Sequence, residues 1–137
     1  MVDLDLSGLL RERGMRVTSQ RLVIHRALVD DGGHLSAEQV HELVAEALPG
    51  VTQQTVYSTL ALLAELGVAR RVAAPGSSAR FEARTEPHHH AVCERCGRIE
   101  DLDVRVPVGR AADASRELGF EPGDASVVVV GLCADCR

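Results

Sequence analysis

The sequence predicts an α+β fold: an N-terminal winged helix-turn-helix domain followed by a small α/β domain clasped by metal. Three observations carry this. Apolar residues recur at helical spacing through the first half, as in Val56, Leu60, Leu63 and Leu66. After Gly67 that period gives way to short strand-like runs on either side of Ala74-Pro75-Gly76-Ser77-Ser78, a turn-rich hairpin tip. All four cysteines fall in two C-x-x-C pairs, Cys93 with Cys96 and Cys133 with Cys136.

Each element has a local reason. Asp5 to Arg13 reads as a short helix with Leu6, Leu9 and Leu10 on one side and Gly14 as its stop. Thr18 caps a second helix reaching about Val29, with Leu22, Val23, Ala27 and Leu28 as its apolar stripe; Asp30-Asp31-Gly32-Gly33 ends it. Ser36 and Gln39 stand at capping-box offset and open a third helix through Leu48, before the turn at Pro49-Gly50. Thr52 caps the fourth, which Gly67 closes. Val68–Ala73 and Ala79–Ala83 are the strands of the wing. Beyond them, His88–Cys93 and Arg98–Val104 read as strands, Val108–Leu118 as a helix and Ser126–Leu132 as a strand. The unbroken Val127–Val130 run suits burial on both faces, as in a sheet shared between subunits. The domain boundary is placed between residues 1–84 and residues 85–137.

Composition narrows the function classes. There is no long apolar run and the start is acidic, so neither a transmembrane helix nor a signal peptide is expected. Paired cysteines then fit a reducing cytoplasm. With only Tyr57, Phe81 and Phe120 as aromatics, the cores are built from Leu, Val and Ala. The net charge of −5 argues mildly against nucleic acid. Its distribution argues the other way: residues 1–84 hold nine arginines against ten acids, residues 85–137 six against ten. Arg11, Arg13, Arg16, Arg21 and Arg26 crowd the start, and such a stripe is enough to engage phosphates.

Two residues between thiolates let both sulfurs of a tight turn face one ion, and two such knuckles make a tetrahedral sulfur site suited to zinc. The long interval from Cys96 to Cys133 makes such a site a clip between distant strands. Redox disulfides and four unrelated thiols are the weaker alternatives. Three of the six histidines, His88, His89 and His90, abut the first pair. On a strand, His88 and His90 share a face and His89 points away. His25 and His41 read as surface or core-edge residues of their helices.

Gly14-Met15-Arg16-Val17-Thr18-Ser19-Gln20-Arg21, Thr55-Val56-Tyr57-Ser58-Thr59-Leu60, Arg80-Phe81-Glu82, the triple histidine and both C-x-x-C pairs occur in this order. Together they resemble the Fur family of metal-dependent repressors over essentially the whole length. The resemblance implies a homodimer whose second domain is held together by structural zinc on Cys93, Cys96, Cys133 and Cys136. It also implies a regulatory site at the hinge, on positions matching His34, Glu82, His88, His90 and Asp101. Three imidazoles and two carboxylates form a nitrogen and oxygen set suited to Fe(II) or Mn(II). A further site that some relatives build around the position of His89 is expected to be incomplete. Pro87 stands where they tend to have a ligand, and Asp124-Ala125-Ser126-Val127 lacks the histidine usual on the last strand.

The partner so implied is double-stranded operator DNA. The fourth helix would enter the major groove, with Gln53, Thr55, Tyr57 and Ser58 near its N-terminal half and the wing over the backbone. Tyr57 matches a residue that packs on thymine methyls, although a purely helix-packing aromatic is the alternative reading. Arg16 matches a basic residue that reaches the minor groove, and Arg21 belongs to the same basic start. The family often has arginine where Ser58 stands, so operator preference does not carry over.

The steps from His34 to Glu82 and on to His88 resemble the peroxide-responsive, PerR-like branch and the actinobacterial FurA-like type. In that branch Fe(II) reacts with hydrogen peroxide, and oxidation of histidines matching His34 and His88 destroys the site. The most sensitive peroxide sensors have Asp where Glu82 stands. A redox-linked iron regulator is favoured over plain iron sensing, and zinc sensing is disfavoured because no cysteine remains for the regulatory site. A zinc hydrolase or a zinc-ribbon interaction module would leave the arginine-rich start and Thr55-Val56-Tyr57 unexplained; beyond metal ions and hydrogen peroxide no small-molecule substrate is expected, and no enzyme activity.

Overall fold

The computed structural model describes residues 5–72, 78–83, 85 and 88–137, which fall into two compact units divided after residue 85. Residues 74–77 of the proposed hairpin tip, and Pro87, lie outside the described residues.

In the first unit the elements run α1 (Leu6–Glu12), α2 (Ser19–Asp31), β1 (Leu35–Ser36), α3 (Ala37–Val44), α4 (Gln53–Glu65), β2 (Arg70–Val72) and β3 (Arg80–Glu82). Side-chain caps start α2, α3 and α4 where the sequence places them. Thr18 accepts from the Arg21 amide at 3.2 Å and Thr52 from the Thr55 amide at 3.1 Å. Ser36 and Gln39 close a reciprocal capping box at 3.2 and 2.9 Å. Gly32 ends α2 in the left-handed region, φ 71°, where a side chain would be strained. Helix α3 stops at Val44 rather than Leu48; residues 45–48 continue as a turn, in which the Leu48 amide donates to the Val44 carbonyl at 2.8 Å. Leu10, Ile24, Leu28, Val40, Val56, Leu60, Leu63 and Phe81 are buried at the centre of this unit. Phe81 is the aromatic member of an otherwise aliphatic core.

The wing is larger than two strands. β1 joins it, giving the order β1-β3-β2, with Leu35 opposite Phe81 on one side and Arg71 opposite Phe81 on the other. Ser36→Ala would remove the reciprocal cap, and we expect a loss of about 0.5–2 kcal/mol, read as a lower unfolding midpoint by circular dichroism. An unchanged midpoint would mean that the cap bonds are offset by solvent.

The second unit contains β4 (His89–Cys93), β5 (Ile99–Leu102), α5 (Gly109–Glu117) and β6 (Val128–Gly131). The sheet order is β5-β4-β6, with β4 antiparallel to β5 and parallel to β6; the parallel pair is joined through α5. Val128, Val129 and Val130 are 42, 53 and 45% exposed, because β6 is an edge strand and this single chain covers neither face. Leu118 and Phe120, at and beyond the end of α5, are also exposed, and no residue of α5 is buried.

Candidate metal centres and nucleic-acid face

The β4–β6 register sets Cys93 opposite Gly131, so the turn after β4 and the turn after β6 lie side by side. Each turn is closed by its own backbone: the Gly97 amide donates to the Cys93 carbonyl at 2.9 Å, and the Cys136 amide to the Cys133 carbonyl at 3.0 Å. Arg95 joins the two, its guanidinium donating to the Cys136 carbonyl at 2.6 Å. The four sulfurs all lie within 4.8 Å of one another, none in a disulfide, and Cys96 Sγ is 3.8 Å from Cys133 Sγ. A zinc tetrahedron with bonds of about 2.3 Å has edges of about 3.8 Å, so the four thiols fit zinc.

The pocket prepares its thiolates unequally. Backbone N–H groups of Cys96, then Cys133, aim at Cys93 Sγ and hold its pKa down from 9.0 to about 6. The sulfur contact with Cys133, followed by burial, pushes Cys136 up to about 12. A thiol depressed in the folded chain contributes stability above its unfolded value and loses it as pH falls through its folded one. For Cys93 that window runs from 9.0 down to about 6. Zinc release to a colorimetric chelator is therefore expected to stay low above about 6 and to rise as pH falls through it. A release profile that stays flat as pH falls through and below about 6 would count against Cys93 as a ligand.

Nitrogen and oxygen donors gather in each unit separately. In the first, the Leu35–Phe81 pairing places His34, just before β1, opposite Glu82, the last residue of β3. His34 Nε2 lies 2.7 Å from Glu82 Oε2, and their side chains are only 8 and 3% exposed. In the second, His90 pairs with Asp101 across β4 and β5, and strand alternation brings His88 to the same face. Asp101 Oδ1 is 3.1 Å from His88 Nε2 and 3.4 Å from His90 Nε2, and the two rings stand 4.3 Å apart. Buried imidazoles beside carboxylates are the donor chemistry of a hard or borderline divalent ion. His89 is on the other face, where its Nδ1 accepts from the Val127 amide at 2.8 Å and fastens the approach to β6. That ring therefore has a structural use the sequence does not reveal. His41 likewise bonds the Val51 carbonyl at 2.8 Å, bracing the turn between α3 and α4.

Gln53, Thr55, Tyr57 and Ser58 occupy the first two turns of α4. Gln53, Tyr57 and Ser58 are exposed; Thr55 is half-buried and shares its hydroxyl with Thr52 at 3.0 Å. Ser58 spends its hydroxyl on the Gln54 carbonyl at 2.9 Å. Tyr57 is both packed and exposed: its ring meets Phe81 edge-on, with centroids 6.1 Å apart and planes at 84°, while 39% of the residue remains accessible. Arg16 is exposed, and Arg21 donates to its carbonyl at 2.6 Å, fixing the segment that presents it. Among the described residues no helix is long and apolar enough to cross a membrane.

The Ferric uptake regulator family pattern matches residues 12–130. Transcriptional regulator FurA of Mycobacterium tuberculosis is 38% identical over 133 residues, 96% of this chain and 90% of that protein. The peroxide-responsive repressor PerR of Staphylococcus epidermidis is 27% identical over 128 residues, 93% of this chain and 85% of that one. Among solved structures, the ferric uptake regulator of Pseudomonas aeruginosa with manganese superposes with a TM-score of 0.70 at 30% identity, covering 96% of this chain and 99% of that one. The Helicobacter pylori ferric uptake regulator shares the fold, with a TM-score of 0.79 at 20% identity, over 96% of this chain and 88% of its own.

Proposed function

The chain belongs to the ferric uptake regulator family, and from that premise we propose that it is a dimeric repressor whose operator binding depends on Fe(II) or Mn(II) and is relieved by hydrogen peroxide. It is a metal-responsive transcriptional regulator and not an enzyme, as its relatives are. The finer assignments rest on residues. Residues 1–84 are the DNA-binding domain and residues 85–137 the dimerisation domain, with zinc on Cys93, Cys96, Cys133 and Cys136 as a permanent clasp. One regulatory ion takes His34, Glu82, His88, His90 and Asp101. The observation that carries this reading is a pair of clusters, one in each unit, in which buried imidazoles meet a carboxylate. Burial strips His34, Glu82, His88 and His90 of water, and an ion replaces what they lose.

Operator contacts are assigned to Gln53, Thr55, Tyr57 and Ser58 in the major groove, with Arg16 in the minor groove. Arg21 serves through the loop it holds as well as through its charge. The exposed valines of β6, with Leu118 and Phe120, supply apolar surface for a second copy. The setting is the cytoplasm, where reduced thiols persist.

Fe(II), when bound, supplies one-electron chemistry toward peroxide; Mn(II) does not. His34 and His88 are the imidazoles assigned to suffer oxidation, and an oxidised ring no longer offers the donor nitrogen. The similarity to FurA and PerR supports this signal. Plain iron sensing is the second reading, favoured by Glu82, whose longer side chain differs from the Asp of the most sensitive peroxide sensors. Operator anisotropy with Fe(II)- and Mn(II)-loaded protein separates them. Loss of binding in the iron form alone after a peroxide pulse, with one oxygen atom added to the His34 or His88 peptide, establishes peroxide sensing. Survival of both forms moves the protein to iron sufficiency.

A further inference from the structure

Resting on the metal-dependent repressor reading, we propose that Phe81 is a positioning residue linking the metal donors of the first unit to the base-reading ring of Tyr57. The link is short and entirely local. His34 and Glu82, 2.7 Å apart, close the end of the β1–β3 pair, and the residues just inside them are Leu35 and Phe81, which are paired in register. Strand alternation sends Glu82 to one face of β3 and Phe81 to the other, into the helical core. There Phe81 is only 1% exposed and meets Tyr57 edge-on at 6.1 Å. A close-packed ring cannot slide without moving what it touches. Displacing the Glu82 carboxylate therefore moves β3, and β3 moves the aromatic contact that sets the Tyr57 rotamer.

A second strut runs from the same strand. Arg80 donates to Gln39 Oε1 at 2.6 Å, and that oxygen also accepts the Ser36 amide at the start of α3. β3 thus grips α3 through Arg80 and α4 through Phe81, so both helices of the helix-turn-helix take their footing from the strand that ends in Glu82. Tyr57 is the chain's one tyrosine and there is no tryptophan. A single label, or the native fluorophore, reports this contact without interference.

The test uses the full-length zinc-replete protein with 3-fluorotyrosine at Tyr57, titrated with Zn(II) beyond the structural equivalent as a diamagnetic probe. The single fluorine resonance is expected to shift as calorimetry shows the added ion binding, and not to shift in Glu82→Gln. Phe81→Leu should keep Mn(II) binding, yet its operator affinity should gain less than about threefold from Mn(II), against about fivefold or more in the parent. A resonance that stays put while the ion binds overturns the link, as does a full metal-dependent gain in Phe81→Leu. Should Phe81→Leu fail to fold, the resonance in the parent protein decides alone. A parent protein that binds Mn(II) without any gain in operator affinity overturns the repressor reading itself, a result seen before any variant is compared.

Discussion

Cys93→Ser is expected to release the zinc and unfold residues 88–137 together, while the first unit keeps its helices. The size of the effect follows from how little else holds the second unit. Its buried apolar side chains among the described residues are Val92 and Cys93, and α5 contributes none. A structural zinc contributes about 10–16 kcal/mol of apparent free energy, as much as the whole stability of a typical domain at about 5–15 kcal/mol. Removing one of four thiolates from a site whose sulfurs lie within 4.8 Å leaves the other three facing one another. Metal content, size-exclusion chromatography and the loss of β-sheet circular dichroism read the outcome. A stable dimer that still carries a full complement of zinc would refute the structural assignment.

His34→Ala and His90→Ala are expected to abolish metal-dependent operator binding while leaving zinc content and dimerisation unchanged. Loss of a partner merely supporting a metal ligand typically costs about 10–100-fold in affinity, and loss of a ligand costs at least that. His89→Ala is the informative comparison. Its ring faces away from the cluster and accepts from the Val127 amide, so this variant should loosen β6 and the dimer without weakening Mn(II) binding. Calorimetric titration of Mn(II) into the three variants checks the contrast. Equal losses in all three would dissolve the distinction between His88 and His90 on one face and His89 on the other.

What could be read from the sequence was local. Thr18, Ser36 and Thr52 announce helix starts because a cap needs only its own hydroxyl and an amide three residues on. The cysteine knuckles and the shared face of His88 and His90 are set by spacings of three and two. What could not be read depends on distant partners. β1 is two residues long, and its existence rests on β3, far along the chain. The valine run has the composition of a doubly covered strand, yet whether anything covers it is decided by a second chain rather than by its own letters. Arg80 reaching Gln39, and Phe81 meeting Tyr57, follow from the wing folding back on the helices. Nothing in Arg80-Phe81-Glu82 alone foretells that one strand would carry a strut, a core ring and a buried carboxylate in succession.

Metal at His34, Glu82, His88, His90 and Asp101 is proposed to control operator binding. Fluorescence anisotropy on the chain's own upstream promoter DNA, at fixed salt, with zinc-replete protein and a stepwise Mn(II) titration, tests it most directly. Operator affinity is expected to rise by about fivefold or more as calorimetry shows the regulatory ion binding, with no rise in His34→Ala. An affinity that is the same with and without bound Mn(II) would contradict it.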